Sequence, residues 1–190
     1  MKLEDRSFIK YVAVGVCGLS CYLCPNHNTD AKSRCEGCKS EGRMGAACAF
    51  LTCAVKRRRL EFCWDCEEGD TCERWRAHRE ASKRSDSFKC YQKLEDDILF
   101  IRTHGIGPFI ETQETRKKLL GEMLSGFNDG RSKSYYCIAA TVLEIDELRG
   151  AIHRTAAKSE GLDAKRKARA LRDTLEAIAQ AKGYCLRLRR

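Results

Sequence analysis

The 190-residue chain has little proline and no long apolar run, and both absences limit what it can be. Only two prolines occur, and no low-complexity tract is present, so the composition is that of a folded globular protein. The one apolar run near the N-terminus, residues 11–16, is too short for the core of a signal peptide. Because no stretch is long enough to span a bilayer, the sequence predicts a cytoplasmic protein without a membrane partner.

Motifs of catalysis are also missing. The sequence contains no glycine-rich phosphate-binding loop, no nucleophile elbow and no metal motif that leaves a coordination position open. We therefore predict no catalytic residues. Nothing in the sequence requires an enzyme, and an interaction or regulatory role is favoured.

Cysteine is what the sequence has in excess. Ten of the thirteen cysteines lie between Cys17 and Cys72, and only three follow. An odd number of cysteines in a chain without an export signal argues against full pairing into disulfides. The composition predicts a cysteine-rich module over residues 1–75 and a helical region over residues 76–190. The predicted fold class is mostly α, with an irregular module of zinc knuckles packed on four to five helices.

The spacing of these cysteines is typical of metal ligands. Two intervening residues let a tight turn direct both sulfurs at one ion, and two such pairs make a tetrahedral four-sulfur site. The segments between the pairs are short, polar and poor in large apolar residues, so the region needs a metal to hold it together. The predicted zinc ligands are all ten cysteines of the series: Cys17, Cys21, Cys24, Cys35, Cys38, Cys48, Cys53, Cys63, Cys66 and Cys72.

The spacing leaves open which cysteines share an ion. The most economical assignment places two zinc ions in two four-cysteine sites: Cys21, Cys24, Cys35 and Cys38 for one, and Cys53, Cys63, Cys66 and Cys72 for the other. That assignment leaves Cys17 and Cys48 without a role. Ten thiolates could instead form a two-zinc, six-cysteine cluster and one four-cysteine site, which together hold three ions.

An iron–sulfur cluster is the alternative cofactor. Cys17, Cys21 and Cys24 have the spacing of the three-cysteine motif of radical S-adenosylmethionine enzymes. Leu23, however, stands where those enzymes usually have an aromatic residue, and the chain has no room for their barrel. Because four-thiolate sites suit both zinc and iron, an iron–sulfur or thiol redox protein stays open. His27 could replace a thiolate, but a polar loop histidine without a role is favoured because cysteines are already in excess.

These cysteine motifs resemble a known family. The segments CGLSCYLC, CEGC, CAFLTC and FCWDCEEGDTC resemble the cysteine-rich domain of unknown function 3795, found in bacteria and archaea. The segment NDGRSKSYYCIAA, residues 128–140, resembles the C-terminal extension of one branch of that family. The resemblance covers roughly residues 12–155, and it implies a small zinc-binding prokaryotic protein with no known reaction. Thr71 departs from the pattern, since family members often have proline before the last cysteine of the series.

The formal net charge of +9 makes nucleic acid a possible partner, beside a protein partner. Each zinc ion held by four thiolates contributes about −2, which would cancel the excess positive charge of the first half of the chain. The candidate contacts are a basic loop and one face of the last helix: Lys56, Arg57, Arg58, Arg59, and Lys165, Arg169, Arg172. A solvated basic surface is the favoured interpretation of both segments.

Beyond residue 71 the apolar residues recur at helical spacing. The pattern predicts helices over residues 72–84, 91–103, 109–127, 135–154 and 162–182. Gly105 is predicted to end the second of these helices and Pro108 to open the third. Trp75 is predicted to pack back on the cysteine-rich module.

Overall fold

The computed structural model describes residues 6–190, and the first five residues of the predicted cysteine-rich module lie outside this range. The described chain is mostly helical and contains no strand. Its one extended pairing is an isolated antiparallel bridge between Val14 and Ser20. The predicted mostly-α fold is confirmed.

The cysteine-rich part is irregular. It contains two short 3-10 turns, Glu41–Arg43 and Cys63–Asp65, and a seven-residue π-helix, Leu51–Arg57. π-Helices are rare and are often found at functional sites. This one carries Cys53 on it, and the backbone N–H of Arg58 closes its last turn by donating to the Cys53 carbonyl, 3.1 Å away.

Six α-helices follow in the described chain. They are α1 (Glu73–Ser82), α2 (Leu94–His104), α3 (Ile106–Gly126), α4 (Lys133–Val142), α5 (Ile145–Lys158) and α6 (Ala164–Ala181). Neighbours in the chain pack together: α2 on α3, α3 on α4 and α5 on α6. The apolar faces of α3–α6 form the largest core, in which Leu120, Leu148 and Leu171 are fully buried.

A second core joins the cysteine-rich part to α1 and α2. Trp75 is buried there against Val16 and Leu51, as its position in the sequence predicts. Leu94 and Ile98 of α2 belong to the same cluster. The cysteine-rich part of the fold therefore shares an apolar core with the first two helices. No helix in the described chain combines the length and the apolar character that crossing a bilayer requires.

The junction between α2 and α3 is sharper than predicted. Gly105 ends α2 with a φ of 87°, a conformation that glycine adopts without steric cost, and α3 begins at the next residue. Pro108 lies within the first turn of α3, where its missing N–H has no intrahelical partner to lose. The predicted start of this helix at residue 109 was therefore three residues late.

The prediction of one helix over residues 135–154 was wrong. α4 ends at Val142, Leu143 is extended, and α5 begins at Ile145. Glu144 and Glu147 form a capping box, in which each side chain accepts a hydrogen bond from the other residue's backbone N–H. Because such boxes usually begin with serine or threonine, the glutamate was not recognised as a cap.

Candidate metal centre

Six cysteines of residues 17–48 lie in one neighbourhood. A Cβ atom built on Gly15 would lie 3.7 Å from the sulfurs of both Cys17 and Cys38, so these sulfurs are at most twice that distance apart. The Cys48 thiol is a neighbour of both. The thiols of Cys24, Cys35 and Cys38 are neighbours of the Cys21 thiol. We call this set the N-terminal thiol group: Cys17, Cys21, Cys24, Cys35, Cys38 and Cys48.

Backbone hydrogen bonds hold the loop that carries this group. The N–H of Cys24 donates to the Cys21 carbonyl (3.0 Å), and the N–H of Cys35 donates to the Asn26 carbonyl (2.9 Å). The ring of His27 contacts the Cys35 carbonyl through Nδ1, at 2.8 Å. Nδ1 of His27 is therefore engaged by the loop backbone. Burial lowers the pKa of the His27 ring.

The other four cysteines of the series form the C-terminal thiol group: Cys53, Cys63, Cys66 and Cys72. Cys63 is buried, and the other three are its neighbours, as is Cys17 of the first group. The backbone N–H of Cys63 donates to the Val16 carbonyl at 3.0 Å, which ties the two groups to each other. All ten cysteines of the predicted series are thus brought into two adjoining neighbourhoods.

The sulfurs are gathered but do not converge on a single point. Within residues 6–190, no three side chains of His, Cys, Asp or Glu are arranged so that they could hold a metal ion directly. No cysteine of the described chain forms a disulfide. The structure therefore places the predicted ligands near one another. It does not show which of them would share an ion.

Burial keeps several of these thiols protonated at neutral pH. Removal from water raises the pKa of Cys17 and of Cys21 to about 11, and that of Cys63 to about 12. Neighbouring thiols act in the same direction, whereas hydrogen bonding to the Leu19 backbone lowers the pKa of Cys17. A metal ion must displace a proton from each thiol that it binds, so metal affinity should fall as the pH falls.

Two buried lysines lie beside the N-terminal thiol group. The ammonium of Lys89 donates a hydrogen bond to the Ser20 carbonyl, and its charge lowers the pKa of Cys21 against the larger effect of burial. The Lys39 side chain has no exposed surface, and its Nζ lies 2.7 Å from Oε1 of Glu61. Burial lowers the pKa of Lys39, while Glu61 and the nearby thiols raise it.

A third cation, Arg58, lies beside the C-terminal thiol group. Nη1 of Arg58 lies 3.5 Å from the sulfur of Cys66, and its Nη2 donates to Oε2 of Glu68 at 2.6 Å. These contacts raise the pKa of Arg58, with Glu68 the largest cause and the Cys66 and Cys53 thiols contributing. Each thiol group therefore has a cation against it, which suits ligands that become anionic when they bind metal.

The sequence alone did not predict these positioning residues. Lys39 directly follows Cys38 and Lys89 directly precedes Cys90, so adjacency to a cysteine was the one available signal. Glu61 carries no local signal at all, because its partner Lys39 lies 22 positions earlier. The sequence predicts Arg58 only as part of a basic loop that is solvated or contacts phosphate.

The other predicted nucleic-acid contacts are mostly exposed. Arg57 and Arg59 are exposed and Lys56 is half-buried at the end of the π-helix, and the Arg59 guanidinium lies 5.3 Å from the centre of the Phe8 ring. On α6 all three predicted residues are exposed: Lys165, Arg169 and Arg172. Nucleic-acid binding by these residues stays a prediction.

Comparison of this chain with protein-family models, with curated proteins and with solved structures finds no match. The resemblance to the domain of unknown function 3795 therefore stays a prediction as well.

The loop of the N-terminal thiol group contains a glycine that no other residue can replace without strain. Gly37 has a φ of 117°, and a Cβ atom there would lie 2.5 Å from the Val12 carbonyl oxygen. We expect Gly37→Ala to destabilise the protein by about 1–3 kcal/mol, because both the backbone conformation and the close contact resist the added carbon. Urea denaturation followed by circular dichroism would measure it.

The matched control is Gly45→Ala in the same module. Gly45 has no positive φ, and a Cβ atom there would meet nothing within 4 Å. Its substitution should change the free energy of unfolding by no more than about 0.5 kcal/mol. An equal loss of unfolding free energy in the two variants would show that the backbone conformation and close contact of Gly37 are not what resists substitution.

Proposed function

We propose that this chain is a zinc-binding protein in which the two thiol groups hold structural zinc. The cysteine-rich module, held together by zinc, would present a rigid surface for an interaction or regulatory role. This role does not require catalysis. The observation that supports the zinc proposal most strongly is the gathering of ten cysteines into two neighbourhoods, each with at least one cation against it. Thiolates are the preferred ligands of structural zinc.

The donor set fits the metal in number and in type. The four thiolates of the C-terminal thiol group would complete one tetrahedral site. The N-terminal thiol group has enough thiolates for a second ion, and the nearness of Cys17 and Cys48 to Cys38 supports a third that shares ligands with it. We expect at least two zinc ions in each chain.

Charge balance also supports metal binding. A zinc ion with four thiolates carries a net charge of about −2. Burying an ammonium costs free energy unless an anionic partner lies near. Lys39 has the Glu61 carboxylate at 2.7 Å, whereas Lys89 is buried beside the N-terminal thiol group with its ammonium on the neutral Ser20 carbonyl. Thiolates bound to metal would supply that partner, whereas protonated thiols would not.

Metal analysis of protein purified without oxygen tests the proposal. The expected result is a colourless protein that contains at least two zinc ions in each chain. Cys66→Ser should lower the zinc content, whereas Cys185→Ser, which alters a cysteine outside both thiol groups, should leave it unchanged. A brown protein that contains iron and acid-labile sulfide would replace zinc by an iron–sulfur cluster, and a metal-free folded protein would contradict both.

A further inference from the structure

A groove of about 620 Å³ opens on the cysteine-rich part of the molecule. Its walls come from three separate parts of the chain: the N-terminal segment around residues 8–11, the stretch of residues 59–65, and the junction of α2 with α3. None of the ten cysteines of the two thiol groups lines it. We call it the aromatic groove and define it by Lys10, Tyr11, Arg59, Trp64 and Arg102.

Stacked rings form one wall of this groove. The Phe62 ring is buried, and the Trp64 ring lies parallel to it, with centres 4.3 Å apart and 12° between the planes. Tyr11 stacks against Phe62 at 6.3 Å, and Nζ of Lys39 lies 3.9 Å from the centre of the Phe62 ring. Tyr11 and Trp64 are only half-buried. The wall therefore offers flat aromatic surface that is already held in place.

Positive charge surrounds this aromatic wall. Lys10, Arg59 and Arg102 line the groove and are exposed. The contact of Arg102 with Asp70, at 3.4 Å between exposed side chains, is of a kind that contributes little.

Two carboxyl groups in the wall, Glu61 and Asp65, offset part of that charge. Both oxygens of Glu61 already accept hydrogen bonds, from the backbone N–H groups of Lys10 and Tyr11 and from the ammonium of Lys39. Burial raises the pKa of Asp65, with the Glu61 carboxylate acting in the same direction. Because Lys39 balances Glu61, the cations that line the groove outnumber the exposed carboxylate of Asp65, and the groove favours an anion.

We propose that the aromatic groove binds a nucleotide, with the planar base stacked against the Trp64 wall and the phosphate near Lys10 and Arg102. Aromatic side chains stack on any nucleobase, because every base has a π-face. The groove is also of the size of small-molecule sites, about 300–1,000 Å³. No cysteine of the thiol groups lines this site, although Trp64 directly follows Cys63 in the chain.

Fluorescence titration of the full chain, as purified with its metal, tests the assignment. Trp75 is only 3% exposed, so quenching by a ligand reports mainly on Trp64. We expect adenosine 5′-monophosphate and uridine 5′-monophosphate to quench the emission saturably, with dissociation constants of about 1 mM or lower. Ribose 5-phosphate has no base and should bind at least about tenfold more weakly, measured by calorimetry. In Trp64→Phe the quenching should disappear.

Charge reversal provides a matched pair of variants. Lys10→Glu combined with Arg102→Glu should weaken nucleotide binding by at least about tenfold, because the phosphate loses two cations and meets two anions. Arg74→Glu combined with Arg76→Glu changes the net charge equally on exposed positions of α1, outside the groove, and should leave the affinity unchanged. Circular dichroism would confirm that all four substitutions leave the fold intact.

Three results would overturn the proposal. One is the absence of saturable quenching by either nucleotide in the millimolar range. Another is an equal loss of affinity in the two charge-reversed pairs, which would show attraction by net charge alone. The third is binding of single-stranded oligonucleotide that the substitutions at Lys10 and Arg102 leave unchanged while mononucleotides fail to bind, which would place a nucleic-acid surface elsewhere.

Discussion

Removal of zinc is expected to unfold the cysteine-rich module, residues 12–75, and to leave α3–α6 folded. Structural zinc in four-thiolate sites contributes on the order of 10 kcal/mol, which is comparable to the whole net stability of a domain. The module has few elements of its own to replace that contribution, since it contains only short turns and one π-helix. The helices α3–α6, in contrast, supply most of the largest apolar core, to which the module contributes Leu23 and the partly buried Tyr22.

The experiment is treatment with a chelator at neutral pH, followed by two methods. Two-dimensional NMR should show that the dispersed amide signals of the module collapse, while circular dichroism should retain most of the helical signal. Trp75, Leu94 and Ile98 share the core of the module, so α1 and the start of α2 should lose order with it. Addition of zinc should restore the native spectrum.

Acidification should act in the same direction as the chelator. Protons compete with zinc for thiols, and the raised pKa values of Cys17, Cys21 and Cys63 strengthen the competition. Zinc release should therefore begin at a higher pH than for thiols of ordinary pKa. If chelation leaves the amide signals of the module unchanged, the cysteine-rich part is stabilised without metal and the zinc proposal is wrong.

Local sequence pattern was enough to predict most of the helical part. α6 has apolar residues at helical spacing, and α1 and α6 each lie within two residues of the predicted bounds. Trp75 is apolar and lies on a helix whose other residues are mostly charged, so its burial against the module could also be predicted. These features depend on residues within a few turns of each other.

What the sequence could not predict depends on partners far away in the chain. The break between α4 and α5 relies on Glu144 and on the side chain of Arg116, which lies more than 20 residues earlier. The contact of Arg58 with Cys66 requires the fold of the loop between them. The spacing of the ten cysteines predicts thiolate ligands, and this stays a prediction. The neighbourhood of Cys17, Cys38 and Cys48 follows from the path of the chain between them.

The buried lysines illustrate the same limit in energetic terms. A lysine is predicted from sequence to lie on the surface, because burial of its charge costs free energy. Lys39 is nevertheless buried because Glu61, the Phe62 ring and the neighbouring thiols surround it. One residue thereby links the N-terminal thiol group to the wall of the aromatic groove. A change in the metal state of the thiols would alter the surroundings of this ammonium.

Substitution of Arg116 by methionine is expected to destabilise the helical part by about 3–5 kcal/mol. Arg116 is buried on α3, and its Nη1 donates hydrogen bonds to the carbonyls of Ala140 and Leu143, at the end of α4. Methionine fills a similar volume but donates nothing, so two carbonyls would be left without this partner. Urea denaturation at neutral pH, with zinc present, would measure the loss.

Two control variants separate this role from general effects of charge. Lys118→Met removes an exposed cation from the same helix and should cost no more than about 0.5 kcal/mol. Glu144→Gln removes the carboxylate that lies 3.6 Å from Nη2 of Arg116, and this partly exposed pair should contribute less than about 1 kcal/mol. A loss in Glu144→Gln as large as that in Arg116→Met would show that the ion pair matters more than the bonds to the carbonyls.

The effect of Arg116→Met should also depend on pH through Asp97. Burial raises the pKa of Asp97 to about 7, and the Arg116 guanidinium acts against that rise. Without Arg116 the folded-state pKa of Asp97 should rise further above its value in the unfolded chain. An acid whose pKa is raised by folding destabilises the folded state increasingly as the pH rises from its unfolded-state pKa to its folded-state pKa, above which the penalty stays constant. The wild type reaches this limit near pH 7 and the variant at a higher pH. The loss should therefore be larger at pH 8 than at pH 6, whereas a loss that is equal at both would mean that Asp97 is not coupled to Arg116.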